Sequence, residues 1–296
     1  VPVTNQNLWI WTTDWHLVNN FADHGIVGEV YPVDGSSVSD YIIGLRPAGV
    51  IDTGDCKDHY GANTYDAHGH YRASARDELP WGVVTAPSAL YPILPGNHDE
   101  IYDYTDTRGT DFSLFDQRFW AAPYHWICDW AAARIRFIGF HSNIVHAPDI
   151  RLGFFSVAQT EIDYVTDQLA ALPANYTAIV CCHPPIAPTF GEYIYDANGG
   201  TALRAVLSAN AAKITCCIGG HRHFNFSTTT LDGIPHFSGP AMSYTLGNSL
   251  GGWVPITLDP AARTLTWDYL LGPPSSYTRY SPGGVPFTPI VLTLPA

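Results

Sequence analysis

At 296 residues, 46% hydrophobic and 14% charged, the chain can bury a large core, and it holds no apolar run near the ~18 residues of a membrane span. Its net charge of -13, from 14 basic against 27 acidic residues, with Lys57 and Lys213 the only lysines, argues against gripping long nucleic acid through its phosphates. The chain begins at Val1 with Met242 its single methionine, and it carries two glycosylation patterns, at Asn175 and Asn225; the expectation is a secreted or periplasmic protein, with a cytoplasmic one as the alternative.

In chain order, Asn7 to Thr13 has the β-branched and aromatic content of a strand and stops at Asp14-Trp15-His16. A carboxylate and an imidazole two positions apart at a strand end point the same way, so both can reach one cation. Ser36 to Leu45 reads as a short helix. The next strand, Gly49 to Thr53, delivers Gly54-Asp55-Cys56-Lys57-Asp58, with Asp55 at the strand's carboxyl edge, where open α/β sheets place their ligands. Residues 59–87 are polar and aromatic without a sustained period and read as an insertion at the mouth of the site.

The apolar run Ala89 to Leu94 predicts a short buried strand, and Pro95-Gly96 turns the chain sharply at its end. Asn97, His98 and Asp99 then emerge together, offering an amide oxygen, an imidazole and a carboxylate. After a second mouth loop, 101–123, a hairpin is expected from His125 to Trp130 and Arg134 to Phe140, the second strand alternating between a polar and a buried face. Ser156 to Leu172 is the best helix, with Ile162, Val165 and Leu169 as its buried stripe.

Tyr176 to Cys182 is a continuous apolar run, as expected of a central strand covered on both faces, and it ends at His183-Pro184-Pro185, where two prolines restrict the chain after the imidazole. A third mouth loop lies within 184–200, and Thr201 to Ala211 predicts a short helix. A second buried strand, Lys213 to Ile218, delivers Gly219-Gly220-His221-Arg222-His223, whose two imidazoles flank one residue. From Phe224 onward the pattern is β, with Asp232-Gly233 a hairpin signal. The vicinal pairs Cys181-Cys182 and Cys216-Cys217 suit buried thiols as well as bridges, and their spacing is not that of a C-x-x-C zinc site.

Five clusters thus stand in order, each after an expected strand: Asp14-x-His16, Gly54-Asp55-x-x-Asp58, Gly96-Asn97-His98-Asp99, His183 and Gly220-His221-x-His223. In that order they resemble the calcineurin-like metallophosphoesterase superfamily. The resemblance implies an α/β fold, a four-layer αββα sandwich of two mixed β-sheets flanked by helices, spanning residues 1–296 as one domain with its metal site at strand ends. It implies two metal ions, Mn, Zn or Fe, one held by Asp14, His16, Asp55 and His223 and the other by Asp55, Asn97, His183 and His221. By the same resemblance His98 protonates the leaving alkoxide or binds a phosphate oxygen, with Asp58 pairing its other nitrogen, and Asp99 takes a supporting role.

The activity so implied is hydrolysis of a small phosphorylated substrate by a metal-bound hydroxide. Purple acid phosphatases carry Gly where His16 stands, and protein Ser/Thr phosphatases carry Arg where His59 stands. The wording of the motifs looks most like phosphodiesterases of the class III cyclic-nucleotide and glycerophosphodiester type. An exported phosphomonoesterase, or a non-catalytic surface or structural protein retaining the fold, are the alternatives.

Overall fold

The computed structural model describes residues 5–14, 42, 44–55, 92–99, 124–145, 154–191, 194, 198–223, 226–242, 252–271, 278–279 and 287–294. Two mixed sheets make its frame. The first is centred on β1 (Asn5–Thr12), which pairs in parallel with β2 (Pro47–Asp52) and antiparallel with β11 (Gly252–Asp259). Ile93 extends it past β2 through a parallel bridge to Asp52. Beyond β11 follow β12 (Thr264–Trp267), β13 (Leu270–Leu271), β14 (Thr278–Arg279) and β15 (Ile290–Thr293).

The second sheet begins with β3 (Trp126–Trp130) and β4 (Ile135–Gly139), the expected hairpin. It continues through β7 (Thr177–Cys181) and β8 (Ile214–Gly219), both parallel to β4, to β10 (Ile234–Ser238) and β9 (Ser227–Leu231) at the far edge. Asp232 and Gly233 both take positive φ in the β9–β10 turn, as a two-residue hairpin loop requires. A small separate ladder joins β5 (Asn143–Val145) to β6 (Phe154–Ser156).

Side-chain alternation sorts the apolar residues into two cores. Between the sheets lie Trp9, Trp11 and Ile51 from β1 and β2, Val254, Ile256 and Trp267 from β11 and β12, and Trp130, Phe137, Ile179, Cys216 and Ile218 from the second sheet. On the outer face of the second sheet, Ile138, Val180 and Cys217 meet Ile162, Val165 and Leu169 of helix α1 (Gln159–Ala170) and Leu203 and Leu207 of helix α2 (Gly200–Ala209). Ile10 and Val50, paired in register on the outer face of the first sheet, are also fully buried, so that face is covered too; residue 42 nearby in sequence is helical and buried. Apolar side chains are thus buried on both faces of each sheet, in keeping with the sandwich expected, while Thr257 and Asp259 of β11 and Val291 of β15 stay exposed.

Two sequence expectations need adjustment. The alternation in 134–140 does not give a polar face, because β4 lies inside the sheet between β3 and β7: Phe137 enters the inter-sheet core while Ile138 enters the helical one. The helix expected from Ser156 starts at Gln159, because Ser156 pairs with Asn143 in the β5–β6 ladder. The five described cysteines, Cys128, Cys181, Cys182, Cys216 and Cys217, are buried thiols rather than bridges.

Tryptophans fasten one sheet to the other. Trp9 stacks obliquely on Phe137 with centroids 4.7 Å apart, and the Trp130 indole N–H donates across the gap to the carbonyl of Gln6 at 2.8 Å. Trp126 likewise donates to the carbonyl of Ile93 at 3.0 Å. Trp126 and Trp130 contribute apolar area while their one polar atom is hydrogen-bonded, the condition under which an indole is stable inside a protein, and Trp9 contributes through ring packing.

Truncating Trp9 to Ala is expected to cost about 3–5 kcal/mol in urea unfolding, and Trp130→Phe about 1 kcal/mol through its lost bond. His236 gives a pH signature. Burial drives its imidazole down to about 4, Asp232 opposing and Arg204 assisting. Above the unfolded value of 6.5 the ring is neutral in both states; as pH falls towards 4 only the unfolded chain takes up the proton, so stability drops. His236→Gln is expected to flatten the stability profile between pH 6.5 and 4 relative to the parent.

Candidate metal centre

The parallel strands of both sheets end at one seam. Asp14 follows β1, Asp55 follows β2 and Asn97 follows the Ile93 bridge, while from the opposite sheet His183 follows β7, and His221 and His223 follow β8. Side-chain donor atoms of Asp14, Asp55 and His223 lie within 4.8 Å of one another, and so do those of Asp55, His183 and His221, so Asp55 is common to both groups. Carboxylate oxygen and imidazole nitrogen in this mixture suit Zn, Mn or Fe.

Local backbone geometry aims these groups. Asp14, Asp55, His221 and His223 all adopt positive φ, at 53°, 57°, 71° and 49°. A non-glycine residue in this region pays roughly 1–3 kcal/mol, and such strain collects at functional sites. Each left-handed residue turns the chain off its strand, so that the side chain looks along the seam. Gly220 is needed for the approach: a Cβ there would run into Thr13 Oγ1 and the Asp14 carboxylate.

The hydrogen-bond pattern around the ring nitrogens shows what the cluster lacks. His183 Nδ1 lies 2.9 Å from the carbonyl of Thr53, which can only accept, so Nδ1 carries the proton. Its Nε2 then faces two more oxygens, Asn97 Oδ1 at 3.0 Å and Asp55 Oδ2 at 3.1 Å. His221 Nδ1 faces the same amide oxygen at 2.9 Å. Atoms whose natural role is to offer lone pairs thus converge on one another, an arrangement satisfied by a cation at their centre or by a proton on the ring. Burial lowers the His183 pKa, but the charge and hydrogen bond of Asp55, the charge of Asp14 and the Thr53 carbonyl outweigh it, raising the imidazole to about 9. The donor set fits metal binding.

Supporting groups hold the carboxylates. Asp14 accepts the Thr13 hydroxyl at 2.7 Å and the His221 backbone N–H at 2.9 Å on both oxygens, and its Oδ1 lies 3.1 Å from His223 Nε2. His221 therefore ties the two groups together, its N–H on Asp14 and its ring at Asn97. Asp99 is fully buried in the 3-10 turn Asn97–Asp99, and its Oδ2 accepts the N–H of Gly96 at 2.7 Å and of Asp55 at 2.9 Å, locking the loop that carries Asn97 to the one that carries Asp55. Phe155 walls the site, its ring edge-on to His221 at 4.5 Å. Asp14, Asp55 and His183 sit at the floor, while Asn97, His221 and His223 are partly exposed and form the open side.

Of the seven residues expected as metal ligands, six, Asp14, Asp55, Asn97, His183, His221 and His223, are brought together, while His16, and Asp58, expected as the partner of His98, lie outside the described residues. His98 lies in the 3-10 turn next to Asn97, and its side chain is likewise outside them. Sequence reasoning passed over Thr13 and Phe155. Thr13 adjoins an expected ligand and could have been flagged as its hydrogen-bond donor, whereas nothing in the sequence around Phe155 points to the site.

No family model and no curated protein matches the sequence. Among solved structures, a dimetal phosphatase from Danio rerio superposes with a TM-score of 0.57, at 12% identity, over 98% of this chain and 99% of that one. The chain has the calcineurin-like metallophosphoesterase fold. Further matches are a 5'-nucleotidase from Candida albicans (TM-score 0.49, 13% identity, 93% of this chain and 54% of that one) and Vps29 from Chaetomium thermophilum (TM-score 0.42, 8% identity, 98% of each chain).

Because Asp55 belongs to both donor groups, Asp55→Asn is expected to abolish metal uptake, whereas Asp14→Asn should leave one ion per chain, counted by elemental analysis after dialysis. Gly220→Ala is expected to weaken metal binding at least tenfold by displacing Asp14. Chelation should lower the melting temperature of the parent chain, and restoring Mn or Zn to ~100-fold above its Kd should return about 2.7 kcal/mol.

Proposed function

We propose that this chain is a metal-dependent phosphoesterase that hydrolyses a small phosphorylated substrate, phosphodiesters in preference to monoesters, with two metal ions at the seam. The carrying observation is the pair of carboxylate–imidazole groups that share Asp55 at the carboxyl ends of parallel strands from two sheets. The protein of like fold from Danio rerio is described as a dimetal phosphatase, which supports the same chemistry here. The diester preference is supported by the wording of the Asn97, His183 and His221 motifs. With a net charge of -13, long nucleic acid is a poor substrate.

One ion would be held by Asp14, His16, Asp55 and His223, the other by Asp55, Asn97, His183 and His221. When bound, such a pair supplies an acidified water and neutralises charge on the phosphoryl oxygens. The remaining work belongs to the chain. Thr13 and the His221 N–H hold Asp14 in its orientation. The Thr53 carbonyl fixes the His183 tautomer so that Nε2 faces inward, and Asp99 sets the distance between the Asp55 and Asn97 loops. Phe155 excludes water from the His221 side. His98, which follows Asn97 in the chain, hands a proton to the leaving oxygen, and Asp58 favours its charged ring.

Bis-nitrophenyl phosphate and mono-nitrophenyl phosphate, each with Mn or Zn, test the proposal: turnover of the diester should exceed that of the monoester, and Asp55→Asn should abolish both. Absence of any release from metal-loaded protein would sink the catalytic reading. If His98 acts as the acid, His98→Gln should slow an alkyl phosphodiester about 10²–10⁴-fold but a nitrophenyl ester far less, since nitrophenolate leaves without a proton.

A further inference from the structure

The imidazoles of the seam are not held alike. His183 keeps its ring plane through a hydrogen bond, Nδ1 to the Thr53 carbonyl at 2.9 Å, which leaves Nε2 facing Asn97 and Asp55. His221 meets the same Asn97 oxygen through the other ring nitrogen, Nδ1, at 2.9 Å. Its backbone is drawn in close, with φ at 71° and its N–H 2.9 Å from both oxygens of Asp14. The ring then serves the centre in one orientation only, since a half turn about Cβ–Cγ puts Cδ2–H where Nδ1 stands. Phe155 is packed against that ring, edge-on at 77° with centroids 4.5 Å apart, and the same phenyl stands edge-on to His183 at 6.4 Å.

Phe155 is itself fixed by segments that lead to these ligands. Its backbone pairs with Ile144 in the β5–β6 ladder and bridges in parallel to Ile194. The Ile194 N–H donates to the carbonyl of Pro185, two residues beyond His183, at 3.2 Å, and Arg204 of α2 donates to the Ile194 carbonyl at 3.1 Å. The phenyl is buried in the core between the second sheet and its helices. Both imidazoles beside it belong to the donor group of Asp55, His183 and His221, whereas His223 belongs to the other. We infer that Phe155 is a positioning residue for one ion alone: it holds the His221 ring with Nδ1 turned inward and shields the outer sides of His183 and His221, so that the ion of Asp55, Asn97, His183 and His221 depends on it and the ion of Asp14 and His223 does not. The apolar shell around a metal site controls its solvent access, and groups that orient a ligand imidazole change metal affinity about 10–100-fold. The inference deepens the two-metal reading and rests on it; Phe155 takes no part in bond cleavage.

Cobalt(II) is the probe, its binding followed by visible absorption and the bound ions counted by elemental analysis. Two chains isolate the positions: Asp14→Asn keeps the one beside Phe155, and His183→Gln keeps the one at Asp14 and His223. Adding Phe155→Ala to Asp14→Asn is expected to weaken Co(II) binding about 10–100-fold. Adding it to His183→Gln should change affinity by no more than about twofold, as for independent sites. Phe155→Leu keeps an apolar side chain in the wall without a ring edge; it should show a smaller loss at the same position, and it decides the question if the alanine chain does not fold. Leu169→Ala opens the same core from α1 and should leave both affinities as in the parent, which separates ring placement from general loosening. Equal losses at the two positions, a loss in Leu169→Ala as large as in Phe155→Ala, or no loss in either Phe155 variant overturns the inference. A parent chain that takes up no Co(II) removes the metal reading and this inference with it. Two ions bound, one of them dependent on Phe155, without turnover of the nitrophenyl esters would support the role of Phe155 while removing the hydrolytic reading.

Discussion

Two carboxylates, Asp14 and Asp55, are fully buried where the two sheets meet, and the rest of the structure is arranged around tolerating them. Charge in such a place is costly unless hydrogen-bonded and compensated. Part of the compensation is built into the chain: the Thr13 hydroxyl and the His221 N–H for Asp14, His183 beside Asp55, and His223 beside Asp14. The remainder is positive charge at the centre itself, and the upward push on His183 expresses that demand when only a proton is at hand. A cation answers the same demand and also satisfies the facing lone pairs of Asn97 and His221.

That arrangement depends on the sheets being held at a fixed spacing, which the indole rings provide. Trp9 and Trp11 project from β1 into the core only a few residues before Asp14, and Trp126 and Trp130 reach back from β3 to the carbonyls of Ile93 and Gln6. The strand carrying one ligand and the loop carrying another are therefore tied to the opposite sheet by rings of large area, those of Trp126 and Trp130 with their N–H groups hydrogen-bonded. Strained backbone at Asp14, Asp55, His221 and His223 is tolerable because the core over-determines the strands that lead into them.

Much of this was legible in the residues. The continuous apolar runs of β7 and β8, the alternating stripe of α1 and the turn at Asp232-Gly233 follow from periodicity and turn chemistry, and the ligand types follow from polar clusters placed after strands. Periodicity misjudged β4, because an Arg at position 136 mimics a polar face: its side chain pairs with Asp129 of the neighbouring strand and leaves the faces of Phe137 and Ile138 both covered. It also extended α1 back to Ser156, since a short ladder with Asn143 leaves no periodic trace.

What the sequence determined by itself was the set of donors and the strands that end in them, since both are properties of short contiguous segments. Only the tertiary structure decided that Asp55 belongs to two groups at once, that Asp99 couples the Asp55 and Asn97 loops, and that Phe155 walls off His221. Each of these is a contact between segments far apart in the chain or a choice of backbone φ at a single residue. Such features are fixed by how two sheets pack and not by any local pattern, which is why they become visible only when the strands are brought together.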